Sequence, residues 1–369
     1  MPSKNSIRLA AGGAGKTTAM VREAGAASQN AIAILTYTNN NYDEIVRIFY
    51  REFGSIPSHV SVYTWYTFLL RECIRPYQPC FYDASRIESI FFLTGRSLNW
   101  ASKANVERYY ICHGRYIYSD KAAEFALECA QRSDGRWIRR LNDMFDHIYV
   151  DEVQDLAGYD LDLIDRLMRS NILVTLIGDV RQATYSTNQS PRNSQYRGPA
   201  IRNLFLQWKQ AGQCHVDECA ESHRCNQTVC DLADSLYPDM PRTTSKNLTV
   251  TGHDGLFMVP RLLVSDYVRL YTPAVLRYDL KTKCGEYVPM NFGDSKGKTF
   301  DRVLIFPNGP IKSYFSSGDI RKITSPAKYY VAFTRARFSL AFAYEGACKV
   351  PYVSQYSWPA EKPRPEAAS

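Results

Sequence analysis

Residues 10–20 read AAGGAGKTTAM, a glycine-rich stretch between a short apolar run and a segment with helical spacing. Gly12, Gly13 and Gly15, with Ala14 among them, let successive backbone N–H groups turn towards one anion, and the N-terminus of the following helix adds positive potential. Lys16 is then placed to reach the β and γ phosphates of a nucleotide and Thr17 to ligate Mg²⁺, with Thr18 beside them in the same cradle. Ala10 stands where the general phosphate-loop pattern has its first glycine. A plain turn before a helix also favours Gly and Ala, so the rest of the chain has to decide. In YVDEVQD, residues 149–155, Asp151 and Glu152 follow a β-prone run, as when one carboxylate is offered to Mg²⁺ and its neighbour to an attacking water. In IGDVRQATY, residues 177–185, Gln182 carries an amide that could sense the γ phosphate.

Such residues need a frame that brings them together. Apolar runs at 31–36 (AIAILT), 147–152 (HIYVDE) and 172–179 (ILVTLIGD) alternate with helical segments, the pattern of a parallel α/β sheet. Each run ends in polar residues, and ligands of such sheets sit at the carboxyl ends of the strands. The chain of 369 residues is long enough for two or three domains with their own cores. Its net charge of +8 suits a polyanionic partner such as nucleic acid. Ten cysteines without a CxxC pair, no secretory leader and no apolar run long enough to span a bilayer lead to the expectation of a reduced, cytoplasmic protein with no membrane role. Cys214, His215, Cys219, His223, Cys225 and Cys230 cluster in sequence, but their spacing fits no familiar zinc module. Residues 238–252 read as a loop, and the tail 351–369 lacks apolar periodicity and reads as disordered.

The order of these motifs resembles the UvrD/Rep/PcrA branch of superfamily 1 DNA helicases over most of the chain. The phosphate loop is similar to that family's own variant, which begins with Ala. ILTYTNNNYDEI (34–45) resembles its motif Ia, and TWYTF (64–68) its Thr-aromatic-His-Ser-Phe segment. VDEVQD (150–155) resembles motif II, IGDVRQATY motif III, and ESHRCN (221–226) motif IV. PAVLRYDL (273–280) is similar to motif IVa, GDSKGKTFDRVLIF (293–306) to motif V and YYVAFTRAR (329–337) to motif VI. The resemblance implies an α/β fold of two RecA-like domains, with Arg224 and Arg335 reaching the γ phosphate from the second and with His223 and Gly297 at the nucleotide. It implies a single-stranded DNA track gripped by Thr36, Tyr37, Thr38, Asn39, Thr64, Trp65, Tyr66, Tyr185, Tyr196 and Arg277. Stacking of aromatic rings on bases tolerates any sequence. Aromatic residues are 13% of the chain, so most of them must be core.

Departures from the family are specific. The short stretch before Ala10 leaves no room for the upstream glutamine motif that reads adenine, His223 replaces the family's adenine-stacking Tyr, and Thr299 its motif V Glu. STNQSPRNSQ (186–195) lengthens the loop after Tyr185. Residues 69–149 hold a reduced insertion, and 227–292 are too few for the family's large 2B domain. The expected organisation is therefore domain 1A over 1–75 and 136–212, a small and mainly helical 1B-like insertion over 76–135, and domain 2A over 213–350. The function implied is an ATP- and Mg²⁺-dependent translocase or helicase of 3′ to 5′ polarity on single-stranded DNA. The alternative is an ATP-gated DNA sensor that regulates a nuclease partner, as in antiphage systems where compact proteins of this kind sit beside nucleases. RNA as the track is not separated from DNA by stacking and phosphate contacts.

Overall fold

The computed structural model describes residues 5–93, 95–97 and 101–358, which divide into two compact units. The first comprises the chain up to Ala10 and Lys16–Glu218, and the second Ala11–Gly15 and the chain from Cys219 onward.

The first unit is built from strands β1 (Ser6–Ala10), β2 (Ile32–Thr36), β3 (Val60–Thr64), β4 (Ser89–Phe91), β5 (Ile111–Cys112), β6 (Tyr116–Tyr118), β7 (His147–Val150), β8 (Leu173–Gly178) and β9 (His215–Cys219). Its helices are α1 (Lys16–Ala26), α2 (Asn39–Phe53), α3 (Trp65–Phe68), α4 (Val106–Tyr110), α5 (Ala122–Arg132), α6 (Arg136–Met144), α7 (Tyr159–Met168) and α8 (Ile201–Gln210). The main sheet has the order β3-β2-β7-β8-β1-β9, and the pairings from β3 through β1 are parallel. All five residues of β2 and all four of β7 are buried, which is why these strands read as unbroken apolar runs. Helix α2 shows how sequence sets an element. Thr38 caps it by accepting from the Asn41 amide, Ile45, Ile48 and Phe49 recur at helical spacing and are buried, and Gly54 ends it in the left-handed region at φ 77°. That buried face joins Met20, Val21 and Ala24 of α1 over Ile32 and Ile34 of β2.

The structure adds two details to the expected organisation. The segment expected to be a mainly helical insertion does carry α4 and α5, but also a three-stranded sheet of order β4-β6-β5, whose strands of two or three residues are too short to show a period. The first unit also takes in the residues up to Glu218, with β9 added to its sheet.

The second unit contains β10 (Glu221–Ser222), β11 (Thr244–Ser245), β12 (Gly255–Val259), β13 (Ala274–Arg277), β14 (Met290–Asn291), β15 (Phe300–Phe306), β16 (Ala336–Ala343) and β17 (Val353–Gln355), with helices α9 (Gln227–Asp234), α10 (Val264–Tyr271), α11 (Gly309–Ser317) and α12 (Pro326–Phe333). Its main sheet, β14-β13-β15-β16-β12-β17, is parallel throughout, so the chain carries the two RecA-like sheets flanked by helices that the alternating pattern requires. Leu256, Leu276, Val303, Ile305, Leu340 and Phe342 from its strands meet Val229, Tyr329, Tyr330 and Phe333 from its helices in one core. The loop expected over 238–252 holds β11, a two-residue strand beside β10. The tail is corrected at 353–355, where β17 pairs with β12 through backbone bonds that need no apolar pattern; residues 359–369 lie outside the described residues.

Candidate nucleotide and nucleic-acid sites

Parallel strands send their carboxyl ends to one edge of the sheet. In the first unit that edge carries Thr36 at the end of β2, Thr64 at the end of β3, Asp151 after β7 and Asp179 after β8. Lys16 opens α1, and its Nζ donates to the Ala10 carbonyl at 2.9 Å. The Thr17 hydroxyl donates to Asp151 Oδ2 at 3.0 Å, so the loop-helix junction and the end of β7 meet across one strand. Burial, then the neighbouring Glu152 carboxylate, pushes the Asp151 carboxyl up, with Lys16 opposing. These are two hard oxygen donors side by side. They suit Mg²⁺, which takes one or two protein ligands and fills its remaining positions with water and phosphate oxygens.

Glu152 sits at φ 57°, a left-handed conformation rare for a residue with a side chain and a reservoir of local strain. Its amide donates to Asp151 Oδ1 at 3.0 Å, and its carboxylate accepts from Gln154 Nε2. Gln154 Oε1 in turn accepts from the Asp179 amide at 3.1 Å, and Asp179 Oδ2 accepts from Gln182 Nε2 at 3.0 Å. Burial works against the Asp179 carboxylate, but Arg181 and Lys16 hold its pKa below the usual value. The structure thus links Glu152, Gln154, Asp179 and Gln182 in one chain of hydrogen bonds. Gln154 and Asp155 are buried members of this region that the sequence reading missed. Their signal lay inside VDEVQD, where only the acidic pair was read.

The glycines of the phosphate loop lie in the second unit. The Gly12 carbonyl accepts from Ser222 Oγ at 2.8 Å, the Gly13 carbonyl from the His223 amide at 3.0 Å, and the Gly12 amide donates to the Tyr330 hydroxyl at 3.4 Å. Gly13 has φ 85°, and a Cβ there would stand 2.5 Å from Arg224 Cβ, so glycine is required twice over. Arg224 Nη1 donates to the Thr334 carbonyl at 3.2 Å. Arg335 is 1% exposed and donates to the carbonyls of Val331 and Lys298, at 2.8 and 3.1 Å, and to Thr334 Oγ1 at 3.2 Å. Arg224, Arg335 and the backbone beside Gly297 are therefore brought together, with the His223 side chain exposed. Arg277 on β13 instead bonds Asn291 Oδ1 at 3.0 Å.

On the first unit, Tyr37, Thr38, Asn39, Thr64, Tyr66 and Tyr185 line a groove of about 590 Å³ together with Phe92, Ser89 and Ile90 from the insertion. Tyr37 is 6.1 Å from Tyr66 and 6.2 Å from Tyr185 between ring centroids, and Phe92 meets Tyr66 edge-on at 5.1 Å. Phe92, 66% exposed, was not anticipated, because nothing marked it among the aromatic residues of the insertion. Three of the expected strand contacts lie outside this groove lining. Trp65 is 1% exposed and donates its indole N–H to Asp160 Oδ1 at 2.8 Å, Thr36 is buried at the end of β2, and Tyr196 bonds Gln207 Oε1 at 2.7 Å away from the groove lining. Within TWYTF the short helix α3 buries Trp65, Tyr66 and Phe68 together, and of these three Tyr66 lines the groove.

Residues 119–193 match the UvrD/REP helicase N-terminal domain. This UvrD/REP match takes in Asp151–Asp155, Asp179, Gln182 and Tyr185, so the strand-end chemistry lies within it while the phosphate loop lies outside. No curated protein matches the chain significantly. Among solved structures, the arterivirus nonstructural protein 10 helicase is 15% identical over 92% of this chain and 59% of its own, with a TM-score of 0.46. The PRRSV helicase is 14% identical over 92% of this chain and 52% of its own, at 0.45. The same nonstructural protein 10 in a DNA complex is 15% identical over 92% and 60%, at 0.44. The chain thus spans between 52% and 60% of the length of these helicases. Among the described residues no group of three or more His, Cys, Asp or Glu gathers as a metal site, and no helix is long and apolar enough to cross a membrane.

Proposed function

We propose that this chain hydrolyses ATP and uses the cycle to move along single-stranded DNA in the 3′ to 5′ direction. The observation that carries the reading is the hydrogen bond between Thr17 and Asp151, which joins the residue after the phosphate-loop lysine to the acidic pair inside the UvrD/REP match. In this reading Lys16 binds the β and γ phosphates, Thr17 and Asp151 hold Mg²⁺, and Glu152 takes the proton of the water that attacks the γ phosphorus as the bond to the β phosphate breaks. The ion, when bound, would neutralise charge on the phosphates. Gln154 and Gln182 keep the Glu152 carboxylate and Asp179 in place. Tyr37, Tyr66 and Tyr185 offer faces to the bases of the strand, beside the uncharged side chains of Thr38, Asn39 and Thr64. Arg224 and Arg335 stabilise charge on the transferred phosphoryl group.

The test is steady-state ATP hydrolysis without nucleic acid and with single-stranded DNA, duplex DNA and single-stranded RNA, alongside Lys16→Ala and Arg224→Ala. Stimulation by single-stranded DNA, lost in both variants, is the expected result. Turnover indifferent to every nucleic acid would overturn the motor reading.

A further inference from the structure

The segment 186–195 that lengthens the loop after Tyr185 does not extend outward. It folds back on the start of α7. Asn193 Nδ2 donates to the Gly158 carbonyl and to Asp162 Oδ2, both at 2.9 Å, and Arg192 pairs with Asp162. Asn188 is 1% exposed and lies so close to Gly158 that a Cβ there would meet its side chain at 2.8 Å.

Within this segment Thr187, 4% exposed, uses every polar group it has. Its amide donates to the Asp155 carbonyl at 2.9 Å. Its hydroxyl donates to Asp160 Oδ2 and accepts from the Ala157 amide at 3.0 Å. Its carbonyl accepts from the Tyr66 hydroxyl at 2.7 Å. Asp155 itself donates its amide to the Glu152 carbonyl at 3.0 Å and accepts from the Tyr185 amide at 3.4 Å. One residue therefore stands between the turn that carries Glu152 and Tyr66, a buried ring of the groove lining.

We propose that Thr187 is a positioning residue that couples occupancy of the aromatic groove to the setting of Glu152. The inference rests on the functional reading above. A base against Tyr66 shifts or fixes its ring, the hydroxyl at the ring's far end draws on the Thr187 carbonyl, and the amide of the same residue holds Asp155 and through it the strained Glu152 turn. Both ends of this path are bonded to one peptide unit or its neighbour, so little of a displacement is absorbed between them. Thr187 touches neither strand nor nucleotide in this account.

The experiment compares wild type, Thr187→Val, Thr187→Ser and Tyr66→Phe. The quantities read are turnover without nucleic acid, turnover with saturating single-stranded dT oligomer, and affinity for that oligomer by fluorescence anisotropy, with a thermal melt for each variant. Thr187→Val keeps the amide and carbonyl but removes the hydroxyl bonds to Asp160 and Ala157 that hold the residue in place; coupling free energies between sites correspond to factors of about 5 to 150, so it is expected to lower the stimulation by about tenfold while oligomer affinity and unstimulated turnover stay near wild type. Thr187→Ser, which restores the hydroxyl, is expected to recover it. Tyr66→Phe keeps the ring and removes the hydroxyl, and with it the bond to the Thr187 carbonyl, so it must also reduce stimulation, and it decides the matter should Thr187→Val fail to fold. Stimulation retained in both Thr187→Val and Tyr66→Phe, or lost only in proportion to affinity, overturns the coupling and leaves the motor reading standing. A wild type that no nucleic acid stimulates overturns both.

Discussion

Lys16 and Trp65 show how differently two residues named from motifs behave once placed. Lys16 opens α1 and donates to the Ala10 carbonyl, and in the proposed reading its ammonium meets the nucleotide phosphates. Replacing it with Ala should lower kcat for ATP hydrolysis by at least about 10²-fold, the typical loss of one electrostatic donor to a developing charge. Steady-state hydrolysis at saturating ATP measures this, and near-normal turnover would remove Lys16 from the site. Trp65 is the reverse case. Its indole N–H is the partner of a buried carboxylate, Asp160, whose pKa burial raises to about 6 against the hydrogen bonds from Thr187 and Trp65. Trp65→Phe keeps most of the ring and abandons that bond, which should cost about 1–3 kcal/mol in denaturant titration with oligomer affinity unchanged. A loss of affinity without a loss of stability would make Trp65 a strand contact after all.

At the level of elements, the parallel strands were legible because burial on both faces writes them as apolar runs, and the polar strand ends because each apolar run stops there. What was not legible had weaker signals. The strands of the insertion are too short for a period, β17 is held by backbone bonds, and the burial of both Trp65 and Tyr66 depends on where α3 meets Asp160 and Thr187. Helix α10 gives a prediction of its own kind. His253 is stacked between Phe257 and Tyr271, with centroids at 4.1 and 3.8 Å, and its Nε2 bonds the Tyr267 hydroxyl on the same helix at 3.0 Å. Burial, then Arg302, holds this imidazole down to about 4, whereas the unfolded chain titrates near 6.5. The unfolded state therefore takes up a proton first as pH falls. The stability this site contributes is complete above about 6.5 and is lost progressively towards about 4. His147, stacked on Tyr149 and also lowered to about 4, acts in the same direction in the first unit. Thermal melts from pH 7.5 to 4 should show a shallower acid loss for His253→Phe than for wild type. Parallel curves would exclude His253 as a contributor.

For the whole molecule, nucleotide binding and stability are linked. A ligand that binds only the folded chain adds about 2.7 kcal/mol at a hundredfold excess over Kd, so ATP with Mg²⁺ should raise Tm in wild type and leave Lys16→Ala unmoved. Differential scanning calorimetry with and without the nucleotide reads this directly, and an equal rise in both proteins would place the ligand elsewhere. Arg335 is a poor site for the same comparison. Its guanidinium satisfies the carbonyls of Val331 and Lys298 in the interior of the second unit, so Arg335→Ala should lower stability together with turnover. Arg224, less deeply buried, separates the two effects better.

The polypeptide leaves the first unit at Ala10, contributes Ala11–Gly15 to the second, and returns at Lys16. A protein cut after Glu218 would not yield two self-sufficient halves. The piece starting at Cys219 would lack the carbonyls of Gly12 and Gly13, which receive Ser222 and His223, and the amide that meets Tyr330. Reconstitution from two separately expressed pieces should therefore depend on the intact glycine stretch being carried by the other piece, so that the five residues act as the clasp of a split protein.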